Sequence, residues 1–181
     1  MSVDFATSSK TNEWYTPGRY IEAAREVLGG IDLDPASCEL ANRTVRAARF
    51  HTKADNGLCQ YWRGRVWLNP PYGKVGNDSA AGIWLARLRG EFRAGRVSAG
   101  IALVNASTSE AWFQPAWDGV VCFTDHRIRF NDEQGRPSGQ PTKGNAFVYY
   151  GPGTDAFTTA FSRFGRVVLP MPKADAQAVL L

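Results

Sequence analysis

Cysteine and histidine are scarce in this 181-residue chain, at three and two residues. Cys38, Cys59 and Cys122 are odd in number, far apart and without CxxC spacing, and the histidines are only His51 and His126. A structural zinc site or a disulfide framework is therefore not expected, and no metal is assigned. Free thiols fit a reducing compartment. No apolar run approaches the length of a membrane span. The first eleven residues are polar and lack the hydrophobic core of a signal peptide. A cytoplasmic chain with no membrane partner is the expectation. Strong charge of either sign is also missing. The 21 basic and 17 acidic residues leave a formal charge of +4. That balance admits a polyanionic partner without identifying one.

What is present is enough for one core. A chain of this length buries roughly 70% of its unfolded surface, and 44% of its residues are hydrophobic. There are no repeats and no linker, so residues 1–181 read as one domain. Residues 1–13 are a Ser/Thr-rich lead-in, and 171–181 an unassigned tail. Thr16-Pro17 reads as N-cap and first position of a helix that Gly29-Gly30 stops. Ile31 to Asp34 reads as a strand, and Asp34-Pro35 as the cap of a helix to about Val45. Arg49–Thr52 and Arg65–Leu68 are further strands. The latter must end where Pro70 and Pro71 remove two ladder donors.

Gly73 to Asp78 reads as a flexible loop before a helix capped by Asp78 or Ser79, with Trp84, Leu85, Leu88 and Phe92 on one face. Ile101–Val104 is a continuous apolar strand suited to a buried parallel position. Ser109–Trp117 is a candidate short helix, and Val120–Phe123 and Arg127–Phe130 are strand-like. Asn131 to Lys143 is a polar loop. Ala146–Tyr150, Asp155–Phe164 and Arg166–Leu169 read as strand, helix and strand. Alternating strands and helices give an α/β domain with a mainly parallel sheet. Ligands of such sheets sit beyond the carboxyl ends of the strands. Asp34 to Ser37 and Asn69 to Tyr72 both fall at such ends.

Asn69-Pro70-Pro71-Tyr72 carries the chemistry. Each X-Pro bond holds the preceding residue extended, and neither proline has an N–H. The segment offers fixed acceptors, the Asn69 side-chain oxygen and backbone carbonyls, beside the aromatic face of Tyr72. An adenine amino nitrogen is a poor nucleophile because its lone pair is delocalised into the ring. Two acceptors on its two hydrogens would localise that pair toward an incoming methyl group. A base inside a duplex must first be flipped out, and an aromatic ring can hold it by stacking. The alternative is a merely rigid turn after a buried strand.

The tetrapeptide resembles the (D/N/S)PP(Y/F/W) motif of amino-methyltransferases. The wider pattern is similar to phage-type DNA N6-adenine methyltransferases of the Dam family. The matching pieces are Glu13 to Pro17, Asp32 to Ser37, Asp55 to Leu58, and Trp62 with Arg65 to Gly73. The resemblance implies a Rossmann-like class I methyltransferase fold, a mainly parallel sheet flanked by helices with an antiparallel strand near the C-terminus. It implies S-adenosylmethionine as cofactor, DNA as partner, and a bacterial host with phage or prophage origin. By it, Asn69 and Pro70 accept from the target amino group, Pro71 holds the bend and Tyr72 stacks on the adenine. Trp14, Tyr15, Thr16 and Pro17 would close over a cofactor lying against Asp34, Pro35 and Ala36. Asp55, Asn56 and Leu58 would hold its adenosine. The chain departs from many methyltransferases in having Asp34-Pro35-Ala36-Ser37 where a glycine-rich loop follows the first strand.

Arg127, Arg129, Arg136 and Lys143 bracket the polar loop and are candidates for phosphate or groove contacts. A solvated surface hairpin has the same composition. The same four-residue segment would also serve an RNA adenine or a protein glutamine amide. The Trp14 to Pro17 segment and the basic balance favour nucleic acid. A non-catalytic DNA-binding module of the same fold is the third alternative, against which intact Asn69 and Tyr72 stand.

Overall fold

The computed structural model describes residues 14–137 and 143–171. The lead-in 1–13, residues 138–142 of the polar loop and residues 172–181 of the tail lie outside them. In chain order the elements are α1 (Gly18–Leu28), β1 (Leu33–Asp34), α2 (Glu39–Val45), β2 (Arg49–Phe50), β3 (Gly64–Leu68), β4 (Lys74–Val75) and β5 (Asp78–Ser79). They continue with α3 (Ala80–Arg93), β6 (Val97–Asn105), β7 (Val120–Thr124), β8 (Asn145–Tyr150), α4 (Asp155–Phe161) and β9 (Gly165–Val168).

Seven strands form one sheet in the order β2-β1-β3-β6-β8-β7-β9. The pairs β2-β1, β1-β3 and β3-β6 are parallel, and β6-β8, β8-β7 and β7-β9 antiparallel. β8 and β9 therefore run against the other five. The mainly parallel sheet with a reversed strand near the C-terminus is present, with β9 reversed as well.

Strand periodicity divides the core into two layers. On β3, Val66 and Leu68 turn toward α3, while Trp67 turns toward α1 and α4. On β6, Ala102 and Val104 share the first face, and Ile101 and Leu103 the second. α3 seats Trp84, Leu85 and Leu88 on the sheet, each side chain worth roughly 1.5–3 kcal/mol when buried. The close seating needs Gly100, where a Cβ would stand 2.7 Å from Leu88 Cδ1.

Local chemistry sets the ends of the elements. Gly29 adopts φ 70 and donates its N–H to the Arg25 carbonyl, closing α1. The Ser79 hydroxyl accepts from the Gly82 N–H at 3.3 Å, opening α3. Arg65 fastens α1 to the start of β3. It donates to both Asp32 oxygens at 2.7 and 2.8 Å and to the Gly29 carbonyl at 2.7 Å. The Arg65 guanidinium holds the Asp32 carboxyl down at about 2.

Several local expectations are corrected. Pro17, not Thr16, occupies the N-cap position of α1 and makes no side-chain cap bond, while Thr16 is buried. Asp34 caps no helix, because α2 starts later. Cys38 is its N-cap, and its sulfur accepts from the Ala41 N–H at 3.4 Å. Gly73 to Asp78 is an ordered hairpin, β4 paired antiparallel with β5. Residues 109–117 form a 3-10 segment, Ala111–Asp118, with Pro115 inside it. Arg127–Phe130 is not a strand of the sheet. β8 and β9 already take both edges of β7, so only the isolated bridge between Asn131 and Tyr15 follows it. Among the described residues no helix is long and apolar enough to cross a membrane.

Candidate active site

Asn69 to Tyr72 leave the carboxyl end of β3, between β1 and β6. The Asn69 side-chain nitrogen donates to the Trp14 carbonyl at 2.9 Å. A carbonyl can only accept, which fixes the amide orientation. The Asn69 Oδ1 therefore points away from Trp14. It is buried and has no hydrogen-bond partner among the described residues. Pro70 is buried and Pro71 exposed. The Tyr72 hydroxyl is also buried without a partner there, and burial raises its pKa above that of an ordinary phenol. Gly73 then turns at φ 107 into the β4–β5 hairpin, where a side chain would be strained.

These residues form one wall of a cleft of about 500 Å³, within the range of small-molecule sites. Asp34, at the end of β1, forms the facing wall and is 2% exposed. Burial pushes its carboxyl up to about 7, while the Ser37 hydroxyl and the Ala36 N–H pull it partly back. The Ala36 contact is a 3.3 Å hydrogen bond to Asp34 Oδ1. A carboxyl so placed is an unpaired acid awaiting a cation or a proton.

Trp14, Tyr15 and Thr16 border the cleft. Two backbone hydrogen bonds between Tyr15 and Asn131, of 3.2 and 2.8 Å, tie this segment down. The Cys38 thiol donates to the Tyr15 hydroxyl at 3.8 Å, linking the start of α2 to it. The turns after β1 and β2 meet backbone to backbone. A Cβ on Gly57 would lie 1.9 Å from the Pro35 carbonyl oxygen. The Trp62 indole holds that turn by donating to the Gly57 carbonyl at 2.7 Å.

The cleft brings together Trp14, Tyr15, Thr16, Asp34, Pro35, Ala36, Asn56 and the whole of Asn69 to Tyr72. Pro17, Asp55 and Leu58 are not part of its lining. The Asp55 carboxylate is exposed and accepts from the Thr52 N–H and hydroxyl, both at 2.7 Å. Leu58 packs on the α3-side core, and its carbonyl accepts from Arg87 at 3.0 Å. Arg127, Arg129, Arg136 and Lys143 are exposed and lie outside the cleft. Arg136 pairs with Asp132 at 2.9 Å. Sequence reasoning missed Cys38, Lys53, Trp67, Lys74 and Val75, which also line the cleft. Trp67 had a legible signal, since it lies two residues before Asn69 on one strand and so shares its face.

The arrangement presents a hydrogen-bond acceptor at a proline-fixed strand end, facing a buried acid across a ligand-sized space. No curated protein and no solved structure matches the chain. A family model described as DNA N-6-adenine-methyltransferase (Dam) matches residues 6–166, which includes all the described cleft residues. The chain belongs to this family of DNA N6-adenine methyltransferases and is an enzyme.

Proposed function

We propose that the chain transfers a methyl group from S-adenosylmethionine to N6 of an adenine flipped out of DNA, using the acceptors at Asn69 and Pro70. The buried, unpartnered Asn69 Oδ1 carries this reading. A buried acceptor without a partner is costly, and an N6 hydrogen of the target base satisfies it. The Pro70 carbonyl accepts the second hydrogen. Together they turn the nitrogen lone pair out of the ring, toward the methyl group. N6 then sheds one proton as its new bond to carbon forms. Tyr72 stacks on the extruded base, a platform worth about 1–3 kcal/mol.

The residues fit the cofactor. Asp34 is a buried acid with no cation beside it, and S-adenosylmethionine brings a sulfonium and an ammonium. When bound, that cofactor supplies the electrophilic methyl group. Pro35, Ala36 and Asn56 border the space for its adenosine end, and Trp14, Tyr15 and Thr16 cover it. Arg127, Arg129, Arg136 and Lys143 meet the phosphate backbone beyond the cleft.

Uptake of label from methyl-labelled cofactor into plasmid DNA, RNA and protein tests this. Wild type is expected to label DNA, and Asn69→Ala to lose about a hundredfold or more in turnover, as when a preorganised polar group is removed from a site. Equal turnover in the variant sinks the assignment of Asn69. Preferential labelling of RNA or of protein glutamine replaces the substrate.

A further inference from the structure

Thr16 and Trp67 also carry polar groups that the methyl-transfer reading leaves unused. The Thr16 hydroxyl and the Trp67 indole N–H line the cleft, are buried, and find no partner among the described residues. Trp67 is fully buried and Thr16 is 7% exposed. Folded proteins rarely leave such groups empty, because burial strips their water and returns nothing.

The register of the sheet shows what stands beside Trp67. Leu33 of β1 pairs in parallel with Val66 of β3, and both face the α3 side. One residue further along each strand, Asp34 and Trp67 turn to the opposite face. They are neighbours on strands about 4.8 Å apart, and both line the cleft. An acid that accepts when ionised thus stands beside an indole that only donates. An α-amino acid zwitterion carries the complementary pair on one carbon. The lysines of the lining, Lys53 and Lys74, are both exposed, so the buried donors in reach of a carboxylate are neutral ones.

We propose that Trp67 Nε1–H and Thr16 Oγ1–H bind the carboxylate at the amino-acid end of the cofactor, while Asp34 takes its ammonium. This rests on the cofactor reading above and names the subsite that reads the amino-acid end.

Calorimetry without DNA separates the two readings. S-adenosylhomocysteine carries the zwitterion, whereas 5′-methylthioadenosine has the same nucleoside and lacks the amino-acid end. Trp67→Phe and Thr16→Val should each weaken S-adenosylhomocysteine by about tenfold or more, the value of a hydrogen bond to a charged group. Both variants should leave 5′-methylthioadenosine unchanged, which also shows that they are folded. In wild type, the indole N–H resonance absent from Trp67→Phe should move on adding S-adenosylhomocysteine and stay in place with 5′-methylthioadenosine. If wild type binds both ligands but the variants lose nothing, or lose both equally, the Trp67–Thr16 assignment is overturned and the cofactor reading stands. A resonance that ignores S-adenosylhomocysteine overturns it too. If wild type binds neither ligand, the cofactor reading itself falls and takes the subsite with it.

Discussion

Replacing Asp34 by Asn should stabilise the ligand-free protein above neutral pH while weakening its hold on the cofactor. Asp34 is 2% exposed, and burial lifts its carboxyl from 3.8 to about 7. Between those values the folded chain binds a proton that the unfolded chain has released. Stability therefore falls as pH rises through this window. The slope is about 1.4 kcal/mol per pH unit, and the full window amounts to about 4 kcal/mol. For a chain of this size that is on the order of 10 °C in melting temperature. Above pH 7 the loss is complete and the curve is flat. Asn cannot ionise, so Asp34→Asn lacks this component of the pH dependence. The two proteins should match most closely near pH 4 and differ most at pH 8, with the variant ahead. Urea unfolding at pH 4, 5, 6, 7 and 8 without ligand measures the difference directly. Saturating S-adenosylhomocysteine should shrink it, because the ligand's ammonium favours the ionised acid. Parallel pH profiles for the two proteins from 4 to 8 would refute the claim that Asp34 is an unpaired buried acid.

Three other perturbations bear on the same structure. Gly57→Ala places a Cβ 1.9 Å from the Pro35 carbonyl oxygen. It should cost at least about 1–3 kcal/mol in denaturant unfolding, as overpacking does, and weaken cofactor binding as the two turns separate. Arg65→Met should release the Asp32 carboxyl from about 2 toward its ordinary value, read by NMR titration. Asp32 is depressed in the folded state, so the stability it contributes is present above about pH 4 and lost as pH falls toward 2. With both side chains about a third exposed, that contribution is roughly 1 kcal/mol or less. Lys143→Ala should lower the slope of log DNA affinity against log salt by about 0.9, the effect of one released counterion. Its affinity for S-adenosylhomocysteine should not change.

The order of strands and the end of β3 were legible because their signals are local and strong. Two consecutive prolines cannot continue a ladder, and the apolar runs at Val66–Leu68 and Ile101–Val104 announce buried strands. The errors came where a local pattern had two outcomes. Asp34-Pro35 looks like a helix cap, yet the Asp34 side chain faces the cleft and the chain advances to Cys38 before α2 begins. Ile128 and Phe130 alternate with Arg127 and Arg129 as a half-buried strand would. Their burial is real, but β7 already has a neighbour on each side. The β4–β5 hairpin is too short for periodicity to reveal. At the site, Asn69 and Tyr72 stood out because the motif marks them. Trp67 did not, because a tryptophan within an apolar strand reads as core. Only the pairing of β1 with β3 brings it beside Asp34.

The central claim is that Asn69 and Pro70 present an adenine amino group for methylation. Digestion of DNA treated with enzyme and S-adenosylmethionine, followed by mass analysis of the nucleosides, tests it most directly. The predicted product is N6-methyl-2′-deoxyadenosine, formed by wild type and reduced about a hundredfold or more by Asn69→Ala. A methylated cytosine instead, or the same yield of N6-methyl-2′-deoxyadenosine from both proteins, would contradict it.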